Sequence, residues 1–123
     1  MNKEEIFAKL NSLNLDKNKY IVISGASLVA HGVIPQTQDI DLATSLAYYN
    51  QITWQTKPCK NTTRLKFFDV FEISDNYFST NMDFDIIDGF KFMTLKDVLI
   101  LKKQLNRDKD KEVIKKLEIL LNL

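Results

Sequence analysis

A chain of 123 residues, 45% hydrophobic and 27% charged, has the length and balance of one ordinary domain around a single core, so residues 1–123 are expected to form one unit. A formal net charge of +1 argues against wholesale affinity for nucleic acid or a membrane surface, and no apolar run approaches a membrane span. The lone cysteine, Cys59, excludes an internal disulfide and a cysteine-based zinc site; the acidic start MNKEEIFAKL is unlike a signal peptide, so the expected setting is the cytoplasm.

Asn2 to Leu13 reads as an amphipathic helix, with Ile6, Phe7, Leu10 and Leu13 on one face and Glu4 and Glu5 in the first turn. An Asn-rich loop, Asn14 to Lys19, leads into Tyr20 to Ser24, a strand too continuously apolar to be exposed on either side. Gly25 turns the chain into a short helix, Ala26 to His31, closed by Gly32. There the backbone can approach a ligand closely, and the helix amides favour an anion, phosphate above all. A lone histidine at a helix end is more often structural than catalytic, so His31 is kept out of the candidate set.

After a loop holding Pro35, Asp39 to Ala43 reads as the second strand. The period of two sets Asp39 and Asp41 on one face and turns Ile40 and Leu42 to a core. Two neighbouring carboxylates repel unless a cation sits between them, and all-oxygen ligands favour a hard ion such as Mg²⁺ shared with a substrate's phosphates.

Further on, Leu46 to Gln51 is expected as a short helix, and Ile52 to Thr56 and Arg64 to Ile73 as strands. In the latter, Asp69 interrupts a face otherwise made of Leu65, Phe67 and Phe71. Asp88-Gly89 is a strong two-residue turn signal, making Asp83 to Ile87 and Phe90 to Met93 a hairpin. Its acids, Asp83 and Asp85, read as solvated edge carboxylates and as the alternative to Asp69 for a third site acid. Thr94 is the expected N-cap of a helix with Asp97 at N3, and Lys102 falls unexpectedly on that helix's apolar stripe. A final helix to about Leu121 is expected to pack through Val113, Ile114, Leu117, Leu120 and Leu121.

The order of Ser24-Gly25, His31-Gly32, Thr37, Asp39-x-Asp41, the Asp97…Lys102 helix and Arg107-Asp108-Lys109-Asp110 resembles the nucleotidyltransferase superfamily, the fold of polymerase beta, the small antibiotic nucleotidyltransferases and several abortive-infection toxins. Ser24 stands where relatives carry the first glycine of a pair, Ala26 where a serine is common, and no arginine precedes Thr37.

The resemblance implies an α/β (α+β) chain in the minimal form of that fold, a mixed, mostly antiparallel sheet packed by helices. It implies Mg²⁺- or Mn²⁺-dependent transfer of an NMP from an NTP to an acceptor, with release of pyrophosphate. Asp39, Asp41 and Asp69 would be the metal-binding and catalytic acids; Ser24, Gly25, Ser27 and Lys102 would hold the nucleotide. The acceptor could be a small molecule, an RNA or a protein, nucleic acid entering only in that role. A chain this short leaves little to wall the cleft, which points to a partner protein or a homodimer, with Tyr48, Tyr49 and Trp54 as the surface to inspect. The altered glycine pair and the absent arginine favour an alternative: a regulatory module that keeps the fold without the chemistry, as in a toxin–antitoxin or phage-defence system.

Overall fold

The structure is a computed structural model that describes residues 1–52, 57–58, 65–68, 71–74 and 83–123. Helix α1 (Lys3–Ser12) starts in a capping box: the Asn2 side chain accepts from the Glu5 amide, and the Glu5 carboxylate accepts from the Asn2 amide. Strand β1 (Tyr20–Ile23) runs directly into α2 (Ser24–Ala30). Strand β2 (Ile40–Thr44) and helix α3 (Leu46–Ile52) follow. Three short strands come next: β3 (Lys57–Pro58), β4 (Leu65–Phe68) and β5 (Phe71–Ser74). The hairpin of β6 (Phe84–Ile87) and β7 (Phe90–Met93) leads to α4 (Leu95–Leu105), a 3-10 turn at Asp108–Asp110, and α5 (Lys111–Leu120).

Among the described residues the strands form one mixed sheet in the order β3-β4-β5-β2-β1-β7-β6. Four of its six pairings are antiparallel; β1–β7 and β2–β5 are parallel. The chain is therefore an α+β protein with a mixed, mostly antiparallel sheet, as the sequence led us to expect.

Alternation along β1 divides the core in two. Tyr20 and Val22 pack with Ile6, Leu10, Ile40 and Phe92 on one side of the sheet. Ile23 packs with Met93, Val98, Leu99 and Leu117 on the other, with Ile21 at that cluster's margin. A strand buried on both faces must be apolar at every position, which is why Ile21-Val22-Ile23 carries no polar side chain. Among the described residues, no helix is long and apolar enough to cross a membrane.

Four expectations are corrected. Strand β2 begins at Ile40, leaving Asp39 exposed just before the ladder. Ile52 closes α3 instead of opening a strand: helical spacing sets it four residues from Tyr48, and both pack against the first core cluster. The single strand Arg64 to Ile73 is two, β4 and β5, paired antiparallel with Phe68 opposite Phe71; this seats Phe71 in the core at 1% exposure. Leu120 is 57% exposed, because the buried stripe of α5 runs through Val113, Ile114, Leu117 and Leu121 and leaves it on the far side.

Candidate functional site

The junction of β1 and α2 is tight for two reasons. Ser24 opens the helix at φ 59°, the left-handed region that glycine enters most easily. At Gly25, a Cβ would lie 2.8 Å from Thr37 Oγ1, closer than real side chains pack. The glycine is thus required by the loop that delivers the chain to β2. That loop is pinned in turn by backbone hydrogen bonds between Thr37 and Met1 in both directions.

Beside this junction lies a pocket of about 290 Å³. Ser24, Gly25 and Thr37 form one wall, and Asp39 and Asp41 another. Asp41 pairs in register with Ile23 at the end of β1 and is 8% exposed. Lys102 from α4 also lines it, with Arg107, Lys109 and Asp110 from the segment that opens α5. Five residues singled out in the sequence, Ser24, Gly25, Asp39, Asp41 and Lys102, line this one pocket although they come from three separate parts of the chain.

Lys102 is held by Asp110, a residue that sequence reasoning did not place in the site. Its Nζ lies 3.3 Å from Asp110 Oδ1, and Arg107 Nε donates to the other carboxylate oxygen at 2.7 Å. Burial pushes the Lys102 ammonium below its ordinary pKa, and the pairing with Asp110 only partly offsets that. Burial alone would raise Asp110; the hydrogen bond from Arg107 and the charge of Lys102 outweigh it and hold the carboxyl below its usual range. The signal for this cluster was present: a lysine on an apolar stripe needs a buried partner, and Arg-Asp-Lys-Asp supplies one.

Ser27 is placed elsewhere, and the expectation that it holds a nucleotide is corrected. It is fully buried, and its hydroxyl donates to the carbonyl of Met93, stitching α2 to β7. His31 continues that stitch: Nδ1 lies 2.8 Å from the Ser27 carbonyl oxygen, and Nε2 lies 2.8 Å from Asp85 Oδ2. Ser27, His31 and Asp85 thus follow one another as in a hydrolase triad, yet the serine hydroxyl is spent on Met93 and closed to solvent. The trio fastens the hairpin to α2, so Asp85 is not merely a solvated edge acid.

Asp69 lies outside the described residues, as do Cys59, Trp54 and the side chain of Tyr49. Tyr48 is half-buried against the chain's own core, and its hydroxyl accepts from the Asp16 amide. The parallel pairing of β2 with β5 sets the Glu72 backbone beside Asp41, a position the sequence did not suggest. Among the described residues, no three His, Cys, Asp or Glu side chains gather closely enough to hold a metal by themselves. Asp39 and Asp41 nonetheless offer oxygen donors of the kind a hard divalent cation takes, completed by substrate phosphates or water. Comparison with protein-family models, with curated proteins and with solved structures finds no match.

Proposed function

We propose that the chain is a metal-dependent nucleotidyltransferase acting in the cytoplasm. One observation carries the reading: Asp39 and Asp41, the Ser24-Gly25 junction, and Lys102, Arg107 and Lys109 all line a single pocket. A triphosphate needs cations along its length, and a divalent ion bridging it to the protein needs carboxylates; the pocket presents both.

Asp39 and Asp41 would hold Mg²⁺ or Mn²⁺, which when bound neutralises charge on the phosphates. Lys102, Arg107 and Lys109 take the remaining negative charge, and the Ser24-Gly25 backbone lies against the phosphates. The acceptor oxygen bonds to the α-phosphorus as the α–β bridge breaks, pyrophosphate leaves, and the acceptor proton passes to a carboxylate. In this reading that carboxylate is Asp69. A second subunit, most simply another copy, closes the cleft.

The competing reading is a non-catalytic binding module with the same pocket. It is favoured by the fact that Lys102 and Arg107 are both engaged by Asp110, which lowers the net positive charge left for a ligand. Incubation of the protein with labelled NTPs, Mg²⁺ and cell extract separates the two. Transfer of label to an acceptor, lost in Asp39→Asn/Asp41→Asn, supports the enzyme. Saturable NTP binding without label transfer supports the module.

A further inference from the structure

A second cleft, of about 320 Å³, opens between the start of β1 and the end of β2. Its floor is apolar, with Ile21 and Ala43 paired in register across the two strands. Two lysines stand over aromatic rings at its sides. Lys19 Nζ is 5.3 Å from the centroid of Tyr48, and Lys91 Nζ is 4.7 Å from that of Phe84. Lys91 also donates to the Asn18 carbonyl, which fixes its ammonium at the rim.

Charge sets this cleft apart from the acid pocket. Among the described residues, both ionic groups that line it are lysines and no Asp or Glu does, in a chain whose net charge is only +1. Three acids lie just outside the lining: Asp16, whose amide donates to the Tyr48 hydroxyl, and Asp83 and Asp85, which flank Phe84 in the chain. Phe84 adds a ring that is 39% exposed on an edge strand, an expensive surface to leave in water.

We propose that this cleft binds a small planar anion: one aromatic or heteroaromatic ring carrying a phosphate or carboxylate. The ring covers Ile21, Ala43 and the exposed face of Phe84, and the anion lies between Lys19 and Lys91. The volume suits a ligand of that size. The site does not depend on the transferase reading. Ala43 in this lining is nevertheless only two residues along β2 from Asp41 in the other, about 7 Å along the strand. A ligand here is well placed to be the second substrate if transfer occurs.

The test is titration of the whole chain with phenyl phosphate, followed by amide NMR shifts. Inorganic phosphate and benzyl alcohol serve as the two half-ligands. Saturable shifts at Asn18 to Ile21 and at Phe84 and Lys91 are expected, with a dissociation constant on the order of millimolar. Each half-ligand should bind at least tenfold more weakly. Lys19→Met/Lys91→Met should weaken phenyl phosphate at least tenfold while its spectrum stays that of a folded protein. Asp39→Asn/Asp41→Asn should bind it as the parent does, which keeps this result separate from any failure of the transferase reading. Shifts confined to the acid pocket, inorganic phosphate binding as tightly as phenyl phosphate, or full binding by the double lysine variant would each overturn the proposal.

Discussion

Lys102 and Asp110 form a buried ion pair, Nζ to Oδ1 at 3.3 Å, with neither side chain more than a tenth exposed. Arg107 holds the second carboxylate oxygen from a more exposed position. The three residues tie α4 to the start of α5, and all three line the acid pocket. A pair of this kind adds little net stability while intact, because desolvation of both charges cancels much of the attraction. Removing one partner is different. Asp110→Asn leaves a buried ammonium facing a neutral amide and should cost about 3 kcal/mol, the scale for breaking buried pairs. The double variant Lys102→Met/Asp110→Asn should recover most of that loss. Urea denaturation of the three proteins measures both quantities, and a double variant no more stable than Asp110→Asn would show that the lysine is not the strained group.

The same pair fixes a pH dependence. Asp110 titrates below its unfolded value, so on acidification the unfolded chain takes up this proton first. Its contribution is complete above about pH 4, the ordinary carboxylate range, and is lost as pH falls through the depressed folded value. Lys102 works at the other end of the scale. Its folded pKa is depressed, so stability rises with pH between that value and about 10.4, where the unfolded lysine loses its proton. The stability gap between the parent and Asp110→Asn should therefore narrow as pH is lowered from 5 towards 2. Paired denaturation curves across that range check it, and a constant gap would detach the shift from Asp110.

Features set by a few adjacent residues were legible in the sequence. Asp88-Gly89 forms the predicted turn with φ 50° and 85°, both left-handed as a type I′ hairpin requires. Thr94 caps α4 by accepting from the Asp97 amide. What was not legible depends on partners distant in the chain. The stretch Arg64 to Ile73 reads as one strand because it holds no Gly, Pro or Asn to mark a reversal, and only the ladder shows β4 and β5 to be separate. Lys102 stood out as anomalous, yet its partner sits eight residues on, in another element. Ser27 looked like part of a phosphate cradle because it follows Gly25; only the position of β7 shows its hydroxyl to be occupied.

The junction of β1 and α2 offers a test of strain. Ser24 at φ 59° occupies a conformation that costs non-glycine residues about 1 kcal/mol or slightly more. Ser24→Gly should remove that strain at some cost in chain entropy, for a net gain of about 0.5 kcal/mol. Gly25→Ala should act in the opposite direction. The new methyl meets Thr37 Oγ1 at 2.8 Å, and overpacking of this kind costs about 1–3 kcal/mol. Thr37→Ala in the same chain should restore much of the loss. Thermal melts of the four proteins measure this, and an undiminished penalty in the double variant would place the clash elsewhere.

The third acid of the proposed transferase is the last point that mutation can decide. Asp69 is the residue suggested by sequence, and Glu72 is the position that the β2–β5 register sets beside Asp41. Asp85, once an alternative, is bound to His31 at 2.8 Å and takes no part in the acid pocket's lining. If Asp69 receives the acceptor proton, Asp69→Asn should abolish label transfer while the thermal shift with Mg²⁺ and a non-hydrolysable NTP persists, since ligands of the native state still stabilise it. Asp39→Asn/Asp41→Asn should lose both. Asp85→Asn should keep transfer and lose no more than about 1 kcal/mol of stability, because its carboxylate is half exposed and partly screened. Glu72→Gln is the discriminating variant. Full transfer in Glu72→Gln with none in Asp69→Asn assigns the role to Asp69; the reverse pattern moves it to β5, one strand over from Asp41.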